Sequence, residues 1–112
     1  MSVRPKDRDS ARIRGWILRL LEKVYPDGLE ETDLEMAVRG ACRMLKPGTL
    51  DGFVVYLQEK GYLLRKTQAV FDDEVTVVRL TVNGKDLLEG SAPPDRGVSL
   101  AGPVAITSED GD

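Results

Sequence analysis

The chain has 112 residues, 41% of them hydrophobic and 31% charged, with a formal net charge of −3, one cysteine and no histidine. That length supports one domain with a modest core. The composition excludes an internal disulfide, zinc sites built from several Cys or His side chains, and nucleophilic catalysis that depends on a histidine base. No run of about 18 apolar residues is present, so no membrane span is expected. The charged N-terminus has no apolar stretch of the kind a signal peptide carries, which makes a cytoplasmic location the expectation. Cys42 lies at the edge of an apolar helical pattern and is read as a small buried hydrophobe.

The charge is unevenly spread. Residues 1–23 carry seven basic side chains against three acidic ones, residues 91–112 one against four, and the middle is net −4. An acidic total therefore leaves room for a basic face.

Residues 1–7 are polar and expected to be loose. From 8 to 25, Ile13, Trp16, Ile17, Leu20, Leu21 and Val24 follow helical spacing, and Asp7 or Asp9 could cap the start. Arg8, Arg12, Arg19 and Lys23 form a basic stripe on another flank, most simply a solvated face. Pro26-Asp27-Gly28 ends that helix. Thr32-Asp33-Leu34-Glu35 fits a capping box, predicting a second helix from Asp33 with Leu34, Val38, Ala41 and Leu45 inward and Ala37 alongside. Acidic residues at its start and Arg39, Arg43 and Lys46 at its end complement the helix dipole without any ligand.

Lys46-Pro47-Gly48-Thr49 is a tight connection to a third helix, in which the Thr49 hydroxyl is expected to cap. Leu50, Phe53, Val54 and Leu57 recur at i, i+3, i+4 and i+7, one buried face. Gly52, Val55, Tyr56 and Glu59, flanked by Asp51 and Gln58, point outward. Gly61 stops the helix, since glycine readily takes the left-handed conformation. Strands are predicted over 62–66 and 75–81, with a loop over 67–74 that is basic at its root and acidic at Asp72, Asp73 and Glu74. Val70 and Phe71 are expected to fold back on the domain, with a dimer or partner contact as the alternative. Thr81 can cap a short last helix with Leu87 and Leu88 inward and Gly90 ending it. From 91 onward glycine, proline, serine and acid dominate, so the chain divides into a domain over 1–90 and a disordered acidic tail over 91–112. Within that tail Val104-Ala105-Ile106 is the only apolar cluster. No internal repeat, phosphate-binding loop or metal-ligand spacing appears, and no cofactor is expected.

The helix ending in Glu59-Lys60-Gly61-Tyr62-Leu63 and leading into two strands resembles the last helix and wing of a winged helix-turn-helix domain. Leu80-Thr81-x-x-Gly84-x-x-Leu87-Leu88-Glu89-Gly90 resembles the segment that often follows the wing in that superfamily. The length and this ending are also similar to small winged-helix proteins of Mu-like phages and prophages. The resemblance spans residues 10–90. It implies an α+β fold with three helices, a two-stranded wing and a short C-terminal helix, and a transcriptional regulator bound to double-stranded DNA with the third helix in the major groove. It places Arg39, Arg43, Lys46 and Thr49 on phosphate, Tyr56 and Gln58 at or near bases, and Arg65 and Lys66 on the backbone from the wing. The third helix is not basic, which keeps open a winged-helix module that binds protein, or a homodimer. An enzyme is not expected, because no nucleophile and base pair can be assembled.

Overall fold

A computed structural model describes residues 5–41 and 48–100, and the side chains of 10–40 and 48–100 within them. The predicted roles of Cys42, Arg43, Leu45 and Lys46, and the apolar cluster at 104–106, lie outside the described residues, as does the side chain of Ala41. The element order is α1 (Pro5–Glu22), β1 (Gly28–Glu30), α2 (Glu31–Ala41), α3 (Leu50–Glu59), β2 (Leu63–Val70), β3 (Asp73–Leu80) and α4 (Val82–Glu89). The fold is therefore α+β. Four helices and one antiparallel sheet, ordered β1-β3-β2, are found among the described residues, an arrangement consistent with a winged helix.

The core forms where the amphipathic faces meet. Ile13, Ile17, Leu18 and Leu21 of α1 pack with Leu34 and Val38 of α2 and Leu50, Val54 and Leu57 of α3, while Leu63, Val78 and Leu80 close the layer from the sheet and Leu87 and Leu88 from α4. Phe53, expected inside with its helical neighbours, is only partly buried at the edge of this cluster. Burying each such aliphatic side chain is worth about 1.5–3 kcal/mol, so the packed faces rather than local propensity hold these short helices.

Several element boundaries differ from the sequence expectation. Helix α1 begins at Pro5 and ends at Glu22, so Asp7 and Asp9 lie within it rather than capping it. Helix α2 starts at Glu31, which puts Thr32 inside the first turn. Glu35, expected to reach back to the Thr32 amide, instead accepts a 3.4 Å hydrogen bond from the Gly48 N–H and sits 3.9 Å from Arg39. Ala37 is exposed. Thr49 stands at the N-cap of α3 with helical backbone angles and makes no capping bond, because a side chain reaches the N2 and N3 amides only from an extended cap residue.

The two glycine stops behave as the sequence predicts. Gly61 has φ +83°, its N–H donates to the Gln58 carbonyl at 2.9 Å and the Tyr62 N–H to the Leu57 carbonyl at 3.0 Å, the paired bonds of a Schellman motif. Gly90 ends α4 at φ +81°. At its other end the Thr81 hydroxyl accepts from the Gly84 N–H at 3.1 Å and donates to the Gly61 carbonyl at 2.6 Å, tying the start of α4 to the end of α3.

The ribbon is longer than the sequence predicts. Residues 67–70 and 73–74, expected as loop, continue the β2–β3 ladder up to Val70 opposite Asp73, leaving Phe71 and Asp72 as a two-residue turn. Beyond the core a ribbon needs no apolar face, so the polar composition that suggested a loop is compatible with pairing, and the Thr67 and Thr76 hydroxyls meet across the strands at 3.0 Å. Val70 and Phe71 do not fold back. Phe71 is fully exposed at the tip with φ +58°, and Val70 is 42% exposed.

Residues 91–100, placed by the sequence in the polar tail, lie against α1 and α3. Val98 is buried, and the Ser99 N–H donates to the Ala11 carbonyl at 3.0 Å. The close approach needs Gly15, where an added Cβ would overlap the Ser99 carbonyl.

Candidate nucleic-acid interface

The outward face of α3 presents Asp51, Gly52, Gln58 and Glu59 as exposed residues with Val55 half-buried. It supplies two carboxylates and no cation of its own, and Asp51 is paired with Arg65 of β2. Lys60, just past the helix, is 3.2 Å from Asp95. A phosphate backbone approaching this face meets acid first.

Arg65 does not extend from the ribbon as predicted. It pairs with Asp51 at the start of α3 and with Glu31 at 3.0 Å at the start of α2, and its side chain is 26% exposed. Hydrogen bonds to Asp51 and then Glu31 hold its guanidinium still further above its ordinary pKa. The physical reason for the difference is register: Arg65 faces Val78, on the side of the sheet that carries the core, so it points toward the helices. There it offsets two acidic helix starts. Lys66, one residue on, faces Val77 and points to the opposite side.

Tyr56, predicted near bases, is half-buried and turned toward the C-terminal segment. The Arg14 guanidinium stacks on its ring at 3.8 Å from the centroid and donates to the Gly97 carbonyl at 3.0 Å. An added Cβ at Gly97 would overlap the Tyr56 hydroxyl. Beside it, the Tyr62 hydroxyl donates to Asp95 at 2.6 Å, and the Gly97 N–H donates to the same carboxylate at 2.8 Å. Burial first, then the Asp95 hydrogen bond, pushes the Tyr62 phenol up to about 12. Burial also disfavours the Asp95 charge, but the bonds from Tyr62, Gly97 and Lys60 outweigh it and hold the carboxyl below its ordinary value. No sequence signal marked Arg14 or Asp95.

Of the remaining predicted residues, Arg39 and Gln58 are exposed, Thr49 is exposed at the start of α3, and Lys66 is exposed on the outer face of the ribbon. That outer face is set by the register. Leu64 stands opposite Arg79, Lys66 opposite Val77, Gln68 opposite Val75 and Val70 opposite Asp73, with Glu30 of β1 on the other side of Val77. Gly28 lies next to Arg79 on β1, where an added Cβ would run into Val77 and the backbone of β3. A groove of about 340 Å³ is lined by Leu64, Arg65, Lys66, Gln68, Val77 and Arg79. Lys66 and Arg79 have no carboxylate within 4.0 Å among the described residues. The exposed cations that the structure brings together are thus on the sheet, and Arg79 was not singled out by the sequence.

No protein-family model and no curated protein matches the chain. The fold is similar to a solved structure described as a "putative transcriptional regulator" from Thermoplasma acidophilum, with a TM-score of 0.59 and 20% identity over 71% of this chain and 74% of that one. At that identity the likeness is one of fold. No described helix is long and apolar enough to cross a membrane.

Proposed function

We propose that the chain is a winged-helix regulator that binds double-stranded DNA through its ribbon and the C-terminal end of α2, rather than through the centre of α3. The observation that carries this is the pair Lys66 and Arg79, exposed on the same face of the ribbon as diagonal neighbours across β2 and β3 and without carboxylate partners among the described residues. Arg39, exposed and only loosely paired to Glu35, adds a further cation, and Arg43 and Lys46 supply the charges that follow it in sequence. Gln58 and Thr49 lie on or at α3, where they would contact bases and phosphate as it approaches. Tyr56 and Arg65 act in this proposal as supports, one under Arg14 and the other between α2 and α3. The likeness in fold to the structure described as a "putative transcriptional regulator" supports the class. A cytoplasmic, non-enzymatic role fits it, and a phage or prophage setting is proposed on the chain length, the helix order and the Leu80 to Gly90 ending.

A second reading, a module that binds protein and not DNA, is favoured by the acidic outward face of α3. Titration with random duplex DNA at two salt concentrations separates the two. Binding in the micromolar range that weakens steeply with salt supports the first; absence of binding at low salt refutes it and leaves the second.

A further inference from the structure

The outer face of the ribbon carries a charge gradient along an apolar stripe. At the root stand Arg79 and Lys66, opposed only by Glu30; at the far end stand Asp73 on the same face and Asp72 in the turn. Leu64 beside Arg79, Val77, Val75 and Val70 beside Asp73 run along the same face from root to tip, Leu64 and Val70 each more than 40% exposed, and beyond them Phe71 is wholly exposed. A bulky side chain at φ +58° is uncommon, and here its backbone holds the ring out from the tip rather than down on the domain.

We infer that this face is the docking surface for a second copy of the chain, the two ribbons packing outer face to outer face and antiparallel about a two-fold axis at the level of Gln68 and Val75. Charge selects the antiparallel arrangement. A parallel stack would set the acidic tips together and the basic roots together, whereas the antiparallel one brings each tip over the other root. Counting from that axis, Val70 and Asp73 fall over the partner copy's Lys66 and Val77 level, and Phe71 and Asp72 over the Leu64 and Arg79 level. The exposed ring of Phe71 then enters the groove beside Leu64, with the Arg79 guanidinium available both to its face and to Asp72.

Eight-residue strands make a face about 27 Å long and about 10 Å wide, at about 3.4 Å per residue and about 4.8 Å between strands. Two such faces bury about 600 Å² together, below the roughly 1,200–2,000 Å² of a stable complex, so the dimer is weak and depends on concentration. The inference does not require the DNA-binding reading. Both use Lys66 and Arg79, so duplex DNA and the second copy exclude one another.

Sedimentation equilibrium on the full chain at low salt, from about 10 µM to about 1 mM, is the test, a range suited to an interface of this size. The parent is expected to rise reversibly from 12.3 kDa toward twice that mass, and added salt to reverse the rise. Arg79→Glu and Asp72→Lys should each weaken association by at least about tenfold through like-charge contact, and the double variant, which restores opposite charges across the interface, should recover it. Both positions are exposed, and circular dichroism checks that the variants fold. A parent that stays at 12.3 kDa throughout, an Arg79→Glu chain that associates as the parent does, or a double variant that remains monomeric overturns the inference.

Discussion

Replacing Asp95 by Asn should loosen the segment after α4 without disturbing the helical core. The Asp95 carboxylate is 11% exposed and receives three donors: the Tyr62 hydroxyl at 2.6 Å, the Gly97 N–H at 2.8 Å and the Lys60 ammonium at 3.2 Å. Asn keeps the shape but loses the charge and one acceptor oxygen. Hydrogen bonds to a charged group contribute about 1.5–3 kcal/mol against about 1 for a neutral one, and the half-exposed Lys60 adds little. A loss of about 1–3 kcal/mol follows, lowering the melting temperature by about 4 °C for each kcal/mol in a domain of this size. Tyr62→Phe removes the strongest single donor and should cost about 1–2 kcal/mol. Because both changes break the same contact, thermal melts of the two singles and the double should be less than additive. The Asp95 contribution also has a pH signature. Its folded pKa is depressed, so the stabilisation is present above the ordinary carboxylate range and fades as pH falls through the lower, folded value; in Asp95→Asn that component of the acid transition should be missing. Strictly additive losses, or an Asp95→Asn protein that melts with the parent, would refute the assignment of this carboxylate as the tie between the segment and α3.

Truncating Leu57 to Ala should cost about 2–5 kcal/mol through a cavity among α1, α3 and the sheet, read as a lower urea midpoint at unchanged slope. At alkaline pH the sign follows from Tyr62, whose folded pKa is raised to about 12: its contribution is intact below the unfolded value near 10 and is lost as pH rises through 12. Denaturant midpoints should therefore fall between about pH 10 and 12 in the parent more steeply than in Tyr62→Phe.

The parts of the fold legible in the sequence are those whose cause is local. Leu50, Val54 and Leu57 announce α3 by spacing, Gly61 and Gly90 announce its end and that of α4 because a left-handed residue is needed there, and Thr81 caps α4 as its chemistry suggests. Strand β1 was not legible, since three residues between a turn and a helix carry no period; it exists because Leu29 pairs opposite Val78 on the edge of β3. The ribbon beyond residue 66 hid for a related reason: its ladder is a property of two strands together, and its polar side chains resemble those of a loop. The segment 91–100 reads as tail by composition, yet Val98 and Leu100 pack against the core and Asp95 bonds Tyr62, with Gly15 and Gly97 allowing the close approach to Ser99 and Tyr56. For the candidate interface, charge alone favoured Arg65 and Lys66 equally. Strand alternation separates them, sending Arg65 to Glu31 and Asp51 and leaving Lys66 outside on the same face as Arg79, a diagonal neighbourhood that only the register reveals.

The salt dependence of duplex DNA binding by the parent and by the Lys66→Ala/Arg79→Ala variant tests the proposed docking face most directly. Each phosphate contact adds about 0.9 to the slope of log K against log salt, so loss of two such contacts should flatten the slope by about 2 and weaken binding at low salt, at unchanged thermal stability. A variant that binds with the parent's affinity and the parent's slope would contradict the ribbon as the nucleic-acid contact.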